Sequence, residues 1–243
     1  PAVGRSAKRG GALLDAPSVS VKLSALSPRY ELAQSSRAVA ELSARVAELA
    51  VAARDAGIGL TVDAEEADRL ELSLVIFANV YGDARLRDYS GFGLAVQAYQ
   101  KRAIHVLDWL GELACGGGRT IPVRLVKGAY WDSEIKRAQE LGLEGYPVFT
   151  RKCNTDVSYL ACAKALLTQH ATLYPQFATH NAHTVAWLLD VGAGRSQIFL
   201  ARSCNCSVLP FAKSGGRARG YTERTSNFYA EKRNKPMVLL VFW

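Results

Sequence analysis

The sequence predicts an α/β fold in which parallel strands form a (β/α)8 barrel of the TIM type. Two observations support this class. Between Val19 and Asn181, short strand-like runs alternate with amphipathic helices, which is the pattern of repeated βαβ units around a parallel sheet. Each run also carries polar side chains on one face only, whereas strands of an open doubly wound sheet are apolar on both faces.

Five strands and five helices are predicted in this region. The strands are Val19–Leu26, Ile58–Ala64, Phe92–Tyr99, Ile121–Val126 and Gln176–Asn181. The helices lie near residues 36–55, 65–80, 100–114, 132–141 and 156–168. The first helix has the clearest pattern, because Val39, Leu42, Val46 and Leu49 recur at three- and four-residue steps, and Gly57 supplies the left-handed turn that commonly follows a helix.

Residue parity separates the two faces of each strand, because side chains alternate across a strand. In the second strand, Ile58, Leu60 and Val62 form the apolar face. The opposite parity in the five strands contains the polar side chains of Lys22, Asp63, Gln97, Arg124 and His180. They lie toward the C-terminal ends of their strands, which is the end of a barrel where active sites are built. The sequence therefore predicts that they converge in one catalytic site.

A second interpretation of the same residues is structural. Lys22 and Arg124 would then neutralise Asp63 in a buried charge network that has no catalytic purpose. Similarly, a single histidine such as His180 at a strand end is more often a satisfied structural residue than a ligand.

Composition and charge indicate a soluble protein and argue against a membrane-spanning, a secreted or a metal-binding one. No apolar run approaches the roughly 20 residues of a membrane span, and the basic N-terminus lacks the apolar region of a secretory signal. Five cysteines without CxxC spacing predict reduced thiols in a cytoplasmic protein, with no metal site. The net charge is +8, of which +7 lies in residues 195–243, so the excess charge belongs to a basic C-terminal tail.

Five sequence stretches resemble the proline dehydrogenase domain of bacterial proline utilization A, a bifunctional proline-catabolic flavoenzyme family. They occur in the family's order and cover Ser20–Glu31, Val62–Glu71, Gln97–Arg102, Arg124–Asp132 and Tyr174–His183. The resemblance implies FAD-dependent oxidation of L-proline to 1-pyrroline-5-carboxylate. It also implies that the five strands are the second to sixth of an eight-stranded barrel.

The resemblance further implies roles for particular residues. Lys22 would bind the carboxylate of proline, Asp63 would lie beside the reacting centre, and Tyr130 would wall the proline site. Gln97 would face the pyrimidine side of the flavin, and Arg124 would lie near flavin N5. Further cofactor contacts are implied for Val126, Lys127, Gly128, Ala129, Trp131, Thr150, Lys152, Thr179, His180 and Asn181, with Trp131 packing on the adenine.

Domain boundaries follow from where the resemblance begins and ends. Residues 1–17 are unassigned, residues 18–190 form a partial FAD-binding barrel, and residues 191–243 form a basic tail that does not resemble the family. The family's later strands and its last helix, with a tyrosine and two arginines that bind the proline carboxylate, have no match in the tail. We therefore expect a truncated or frameshifted fragment with weak FAD affinity and little activity.

The family also implies partners that lie beyond this chain. They are a quinone electron acceptor at the membrane, with peripheral association with the inner membrane, and an aldehyde dehydrogenase domain that is absent here. Nucleic acid would be a partner only through the family's DNA-binding element, which lies N-terminal to the barrel.

Two alternative functions remain open at this stage. A barrel lysine such as Lys22 could act as the Schiff-base nucleophile of an aldolase if desolvation lowered its pKa. Alternatively, residues 195–243 could make the chain a non-catalytic basic protein that binds nucleic acid.

Overall fold

A computed structural model describes residues 13–169 and 171–191, together with the backbone of three further strands at 198–202, 208–210 and 238–242. Predictions about residues 1–12 and about most of the basic tail, including Cys204 and Cys206, lie outside the described residues.

Strands and helices alternate through the first part of the chain. The strands are β1 (Ser18–Val21), β2 (Gly59–Val62), β3 (Phe92–Gln97), β4 (Ile121–Val126), β5 (Leu173–Ala178), β6 (Ile198–Arg202), β7 (Val208–Pro210) and β8 (Val238–Phe242). The α-helices are α1 (Leu23–Leu26), α2 (Ser35–Asp55), α3 (Leu70–Tyr81), α4 (Ala103–Gly117), α5 (Trp131–Glu140), α6 (Lys152–Thr168) and α7 (Ala182–Val191). Short 3-10 turns include Ala67–Arg69, which precedes α3.

The strands form one sheet in the order β1-β2-β3-β4-β5-β8-β6-β7. Each neighbouring pair from β1 to β5 is parallel and consecutive in sequence, as repeated βαβ units require. The strand β8 pairs in parallel with β5, and β6 and β7 are antiparallel to each other. The five consecutive parallel strands confirm the predicted α/β fold with a partial (β/α)8 barrel.

A contact across the sheet shows that these strands curl. Neighbouring strands lie about 4.8 Å apart, so β1 and β4 would be separated by roughly 14 Å in a flat sheet. Nevertheless, Nη1 of Arg124 on β4 donates to Oγ of Ser20 on β1 at 2.7 Å. This distance is possible only if the strands curve toward each other, as they do in a barrel wall.

The two faces of the sheet divide as residue parity predicts. Side chains of one parity join the buried hydrophobic core with the helices; from β2 to β5 they are Leu60, Val62, Phe92, Leu94, Val96, Ile121, Val123, Leu125, Leu173 and Phe177. Side chains of the other parity, including Gln97 and Arg124, are buried but lie outside that core.

Two strand predictions were wrong in their boundaries. The first strand ends at Val21 instead of Leu26, because Leu23 begins the short helix α1. Leu23 and Leu26 are three residues apart, a spacing that places both on one face of a helical turn, whereas in an alternating strand they would lie on opposite faces. The fifth strand is Leu173–Ala178, three residues earlier than predicted, although Pro175 lies within it and cannot donate a backbone hydrogen bond.

The helix predictions agree with the structure to within a few residues, and α2 begins one residue before its predicted start. The region predicted as helix 65–80 begins instead with an extended residue and the 3-10 turn before α3. The helix α7 and the strands β6, β7 and β8 were not predicted.

Candidate functional site

A cavity of about 480 Å³ opens at the C-terminal ends of the parallel strands. This volume lies within the range of small-molecule sites. Small side chains from three strands or the turns after them form part of its wall, including Ala64, Ala95 and Ala178. Charged side chains reach it from several elements, namely Lys22, Asp63, Lys127 and Lys152. The charged residues in the cavity lining are thus three lysines and one aspartate, and this excess of positive charge favours a negatively charged ligand.

Asp63 and Arg124 form a buried ion pair beside this cavity. Arg124 Nη1 lies 3.1 Å from Asp63 Oδ1, and the two side chains are 9% and 15% exposed. Burial raises the pKa of Asp63, and this rise is opposed first by the Arg124 guanidinium and then by Lys22. Burial likewise lowers the pKa of Arg124 against the effect of Asp63. This contact agrees with the charge-network interpretation for Asp63 and Arg124.

Arg124 also has a donor without a partner. Its Nε is buried and makes no hydrogen bond within the part of the chain that the structure describes. A buried N–H without an acceptor is costly, and such groups usually have a ligand or water as partner. The Nε of Arg124 is therefore a donor for an acceptor atom of a ligand or water, although Arg124 is not itself among the residues that line the cavity.

Lys22 and Tyr130 meet at the mouth of the cavity. Lys22 Nζ donates to the Tyr130 hydroxyl at 3.2 Å, and this hydrogen bond is the main reason why the pKa of Lys22 is raised. A Schiff-base aldolase needs the opposite shift, because its lysine must lose a proton to act as a nucleophile. The structure therefore does not support the aldolase alternative at Lys22, which is better suited to bind an anion as an ammonium group.

Gln97 connects three strand ends by hydrogen bonds. Its Nε2 donates to the backbone carbonyl of Glu65 at 2.8 Å, and its Oε1 accepts from the backbone N–H of Ala129 at 3.2 Å. Glu65 Oε1 in turn accepts from the backbone N–H of Ser24 in α1, 3.0 Å away. These bonds use one N–H of the Gln97 amide and one lone pair of its oxygen. A second N–H and a second lone pair are left for a ligand.

Asp156 accepts hydrogen bonds from two of the lysines that line the cavity, Lys127 and Lys152. Lys127 donates to its Oδ1, and Lys152 donates to its Oδ2 at 2.8 Å. These two hydrogen bonds hold the pKa of Asp156 below its ordinary value.

The other predicted site residues divide into two groups. Six of them also line the cavity: Val126, Gly128, Ala129, Thr179, His180 and Asn181. Asn181 has a structural task as well, since its Oδ1 accepts from the backbone N–H of Thr184 at the start of α7. Trp131 and Thr150 do not line the cavity and are exposed; the indole Nε1 of Trp131 donates to the carbonyl of Phe149 at 2.9 Å.

Sequence reasoning did not single out Glu65, Asp156 or the small wall residues. Residue parity identifies Ala95, which shares a strand face with Gln97. The i,i+4 spacing of Glu65 with Arg69 and of Asp156 with Lys152 is visible in the sequence. Their contacts with Ser24 and Lys127 join residues 41 and 29 positions apart and give no such signal. Among the described residues, no group of three or more His, Cys, Asp or Glu side chains could hold a metal ion.

Comparisons with known proteins agree with this arrangement. The family model described as proline dehydrogenase matches residues 2–202. The bifunctional protein PutA of Salmonella typhimurium is 55% identical over 185 residues, which are 76% of this chain and 14% of that protein.

Solved structures give the same answer. A variant of proline utilization A from Bradyrhizobium japonicum is 54% identical, with a TM-score of 0.77, and the match covers 80% of this chain and 20% of that one. The Bdellovibrio bacteriovorus protein inactivated by N-propargylglycine is 30% identical, with a TM-score of 0.71 over 76% of this chain and 20% of that one. The chain thus spans about one seventh of the length of the curated relative and one fifth of the solved structures.

Proposed function

This chain belongs to the proline dehydrogenase family, and we propose that residues 18–190 supply part of an FAD-dependent site that oxidises L-proline to 1-pyrroline-5-carboxylate. The observation that carries the proposal is the cavity itself. It lies at the C-terminal ends of parallel strands, and its wall combines an apolar surface with three lysines and the Asp63 carboxylate. A flavin dinucleotide and an amino acid need these same features, namely a surface for planar rings and cations for a diphosphate and a carboxylate.

The residues present fit FAD. Ala95, Val126 and Ala178 offer an apolar surface for the isoalloxazine, and the unpaired Nε of Arg124 is a donor for one of its ring atoms. The cofactor would also contact Gln97, Gly128 and Ala129. The diphosphate, ribityl and adenosine parts are assigned to Lys127, Trp131, Thr150, Lys152, Thr179, His180 and Asn181. When bound, FAD supplies the acceptor for the hydride that leaves the ring carbon beside the nitrogen of proline.

Lys22 and Tyr130 would hold the substrate. Lys22 has a pKa above its ordinary value of 10.5 and is therefore an ammonium group at neutral pH, where it can bind the proline carboxylate. The Tyr130 hydroxyl fixes this ammonium group at 3.2 Å. The ring of Tyr130 would then form one wall of the proline site.

Asp63 would accept a proton during the reaction, and Arg124 would supply a positive charge near the group that is reduced. Hydride can leave only when the amine of proline has lost its extra proton, and Asp63 is the lining carboxylate that can accept it. The raised pKa of Asp63 makes it a better proton acceptor than an ordinary aspartate. The Arg124 guanidinium supplies positive charge that favours electron transfer into its neighbourhood.

The partners of this activity are proposed from the relatives. The curated relatives are described as bifunctional, so an aldehyde dehydrogenase domain would use the product, and a membrane quinone would accept the electrons. No helix in the described part of the chain is long and apolar enough to cross a membrane. From the family resemblance, we propose peripheral membrane association for the whole protein. The nucleic-acid alternative concerns residues 195–243, most of which lie outside the described residues, and the family match does not support it.

A chimera tests the proposed function. Residues 18–190 would replace the matching segment of the Salmonella typhimurium protein, so that the relative supplies the rest of the barrel. We expect the chimera to bind FAD and proline to bleach its yellow absorbance. Arg124→Ala should slow flavin reduction, whereas Lys22→Ala should mainly raise KM for proline. A chimera that binds FAD but is not reduced by proline would show that the roles of Lys22, Asp63 and Arg124 are wrong.

A further inference from the structure

The cavity edge formed by Lys127 and Lys152 has an unusual arrangement of charge. Lys152 is the first residue of α6 and follows Arg151, and the first turn of this helix contains no acidic residue. Cations are normally disfavoured at a helix N-terminus, where the helix dipole is positive. The ammonium group of Lys127 approaches the same place from the end of β4. Without a counter-charge, these groups would repel each other.

Asp156 supplies that counter-charge without lining the cavity. Each of its carboxylate oxygens accepts from a different lysine. The pair with Lys127 is the more protected one, since the Lys127 side chain is 24% exposed and that of Lys152 is 76% exposed. Exposed pairs contribute little, so Lys127 is the residue that Asp156 can hold in place.

Two further contacts hold Lys127, one at its backbone carbonyl and one at its ammonium group. Its backbone carbonyl accepts from the N–H of Tyr99 at 2.7 Å. Its ammonium group lies 5.8 Å from the ring centroid of the buried Tyr159, within the range of a cation–π contact. Among the described residues, Asp156 adds the ionic contact that fixes the direction of the ammonium group.

We propose that Asp156 is a positioning residue that holds the Lys127 ammonium, with Lys152 on the same carboxylate, as the edge of the cavity that binds the diphosphate of FAD. This inference rests on the proposed function, because it assumes that FAD is the ligand. Its consequence is selective: loss of Asp156 weakens ligands that carry the diphosphate and spares those that lack it.

The first measurement follows Lys127 directly and needs no ligand. Competitive acetylation of the full 243-residue chain, read by mass spectrometry of peptides, compares the parent with Asp156→Asn. We expect Lys127 to react several-fold faster in Asp156→Asn, while the already exposed Lys152 changes little. The control is Glu140→Gln, which breaks a similar i,i+4 pair with Lys136 outside the cavity lining and should leave Lys127 unchanged. An unchanged Lys127 rate in Asp156→Asn overturns the proposal.

The second measurement titrates the same proteins with FAD, ADP and riboflavin. We expect Asp156→Asn to weaken FAD and ADP about tenfold, the equivalent of one charge-assisted hydrogen bond, with riboflavin unaffected. Asp156→Glu keeps the charge and should restore part of the affinity. A purely electrostatic role predicts tighter FAD binding once the negative charge is removed, and that result, or an unchanged affinity, overturns the proposal.

The two measurements separate this proposal from the proposed function. If neither the parent chain nor the chimera described above binds FAD or riboflavin, FAD as the ligand and the diphosphate role are contradicted together; if only the chimera binds them, the Asp156 variants are titrated in the chimera. The acetylation result would still show whether Asp156 positions Lys127. If Asp156→Asn instead weakens riboflavin as much as FAD, or melts well below the parent, its role is general stability and the positioning proposal is overturned.

Discussion

At the scale of single residues, Arg124 makes the contacts that join β4 to β1 and to the end of β2. It is 8% exposed, and one of its nitrogens, Nη1, donates to both Ser20 and Asp63 at the ends of two other strands. A buried charge is tolerated only when it is paired. Arg124 and Asp63 therefore depend on each other, and the same contact that prepares the site also joins β4 to β1 and β2.

The coupling between these two residues can be measured. Arg124→Met leaves the carboxylate of Asp63 buried without its partner, so we expect a loss of about 3 kcal/mol in the free energy of unfolding. Asp63→Asn in the Arg124→Met background should recover much of that loss, because no charge is then left unpaired. Urea unfolding of the parent, both single variants and the double variant gives the coupling energy. Additive effects of the two substitutions would contradict a direct ionic interaction.

Cysteine reactivity is a second property of single residues. Cys162 is 1% exposed in α6, and burial raises the pKa of its thiol to about 11, whereas Cys115 and Cys153 are exposed. Alkylation requires the thiolate and access to the sulfur. We expect N-ethylmaleimide to modify Cys115 and Cys153 in the folded protein well before Cys162, as measured by peptide mass spectrometry. In denaturant the three should react alike; fast labelling of Cys162 in the native protein would contradict its burial.

At the scale of elements, the turn between β4 and α5 requires a glycine at position 128. Gly128 has a φ of +141°, and a Cβ atom at this position would lie 2.4 Å from Cγ of Tyr99. Tyr99 is buried and cannot move easily, since its backbone bonds to both Lys127 and Phe149. Glycine is thus required both for the backbone conformation and for the close approach of the ring.

Substitution of this glycine tests the turn. We expect Gly128→Ala to reduce the free energy of unfolding by about 2 to 4 kcal/mol, from backbone strain and from the clash with Tyr99. Gly145→Ala is the matched control, because a Cβ atom there would meet nothing within 4 Å and no positive φ is involved. Chemical denaturation of the two variants gives the comparison. Equal stability of both variants would mean that Tyr99 can move aside.

Elements with strong local patterns were predicted well, and those without were not. The helix α2 follows its apolar spacing and ends just before Gly57, so its limits were predicted to within one residue. The strand β5 contains Pro175, which argues against a central strand, and tertiary pairing with β4 overrides that preference. In α1, Leu23 continues the apolar parity of β1 and was therefore assigned to the strand, whereas the structure begins a helical turn there and buries Leu23 in the core.

At the scale of the whole molecule, the candidate site combines predictable and unpredictable parts. The face to which Lys22, Asp63, Gln97 and Arg124 belong follows from parity and from the parallel order of the strands. The contacts of Glu65 with Ser24 and of Asp156 with Lys127 do not follow, because they join residues 41 and 29 positions apart in sequence that meet only in the folded chain. Trp131 and Thr150 show the same limit, since a matched motif gives no information on whether a side chain reaches the cavity.

The pH dependence of folding is a property of the whole molecule to which the carboxyls of Asp63 and Glu134 contribute. Burial is the main cause of the raised pKa of both Asp63 and Glu134. Glu134 is 4% exposed in α5, and its Oε1 accepts from the backbone N–H of Ala67 at 2.6 Å. A carboxyl with a raised pKa binds more protons in the folded than in the unfolded state at pH values just above its ordinary pKa. The free energy of unfolding therefore falls as pH rises through that window.

Glu134→Gln isolates one of these contributions, because glutamine keeps an acceptor for Ala67 and cannot ionise. The ordinary pKa of Glu134 is 4.5, so its effect on stability should begin near that pH and be complete once the folded carboxyl has ionised. We expect the variant to gain stability relative to the parent between pH 4.5 and pH 7, as measured by urea unfolding at both values. Glu140→Gln on the same helix, with a side chain that is 62% exposed, is the control and should show little change. If Glu134→Gln instead loses stability relative to the parent as pH rises, the ionised carboxylate stabilises the fold, and the direction of the pKa shift is reversed.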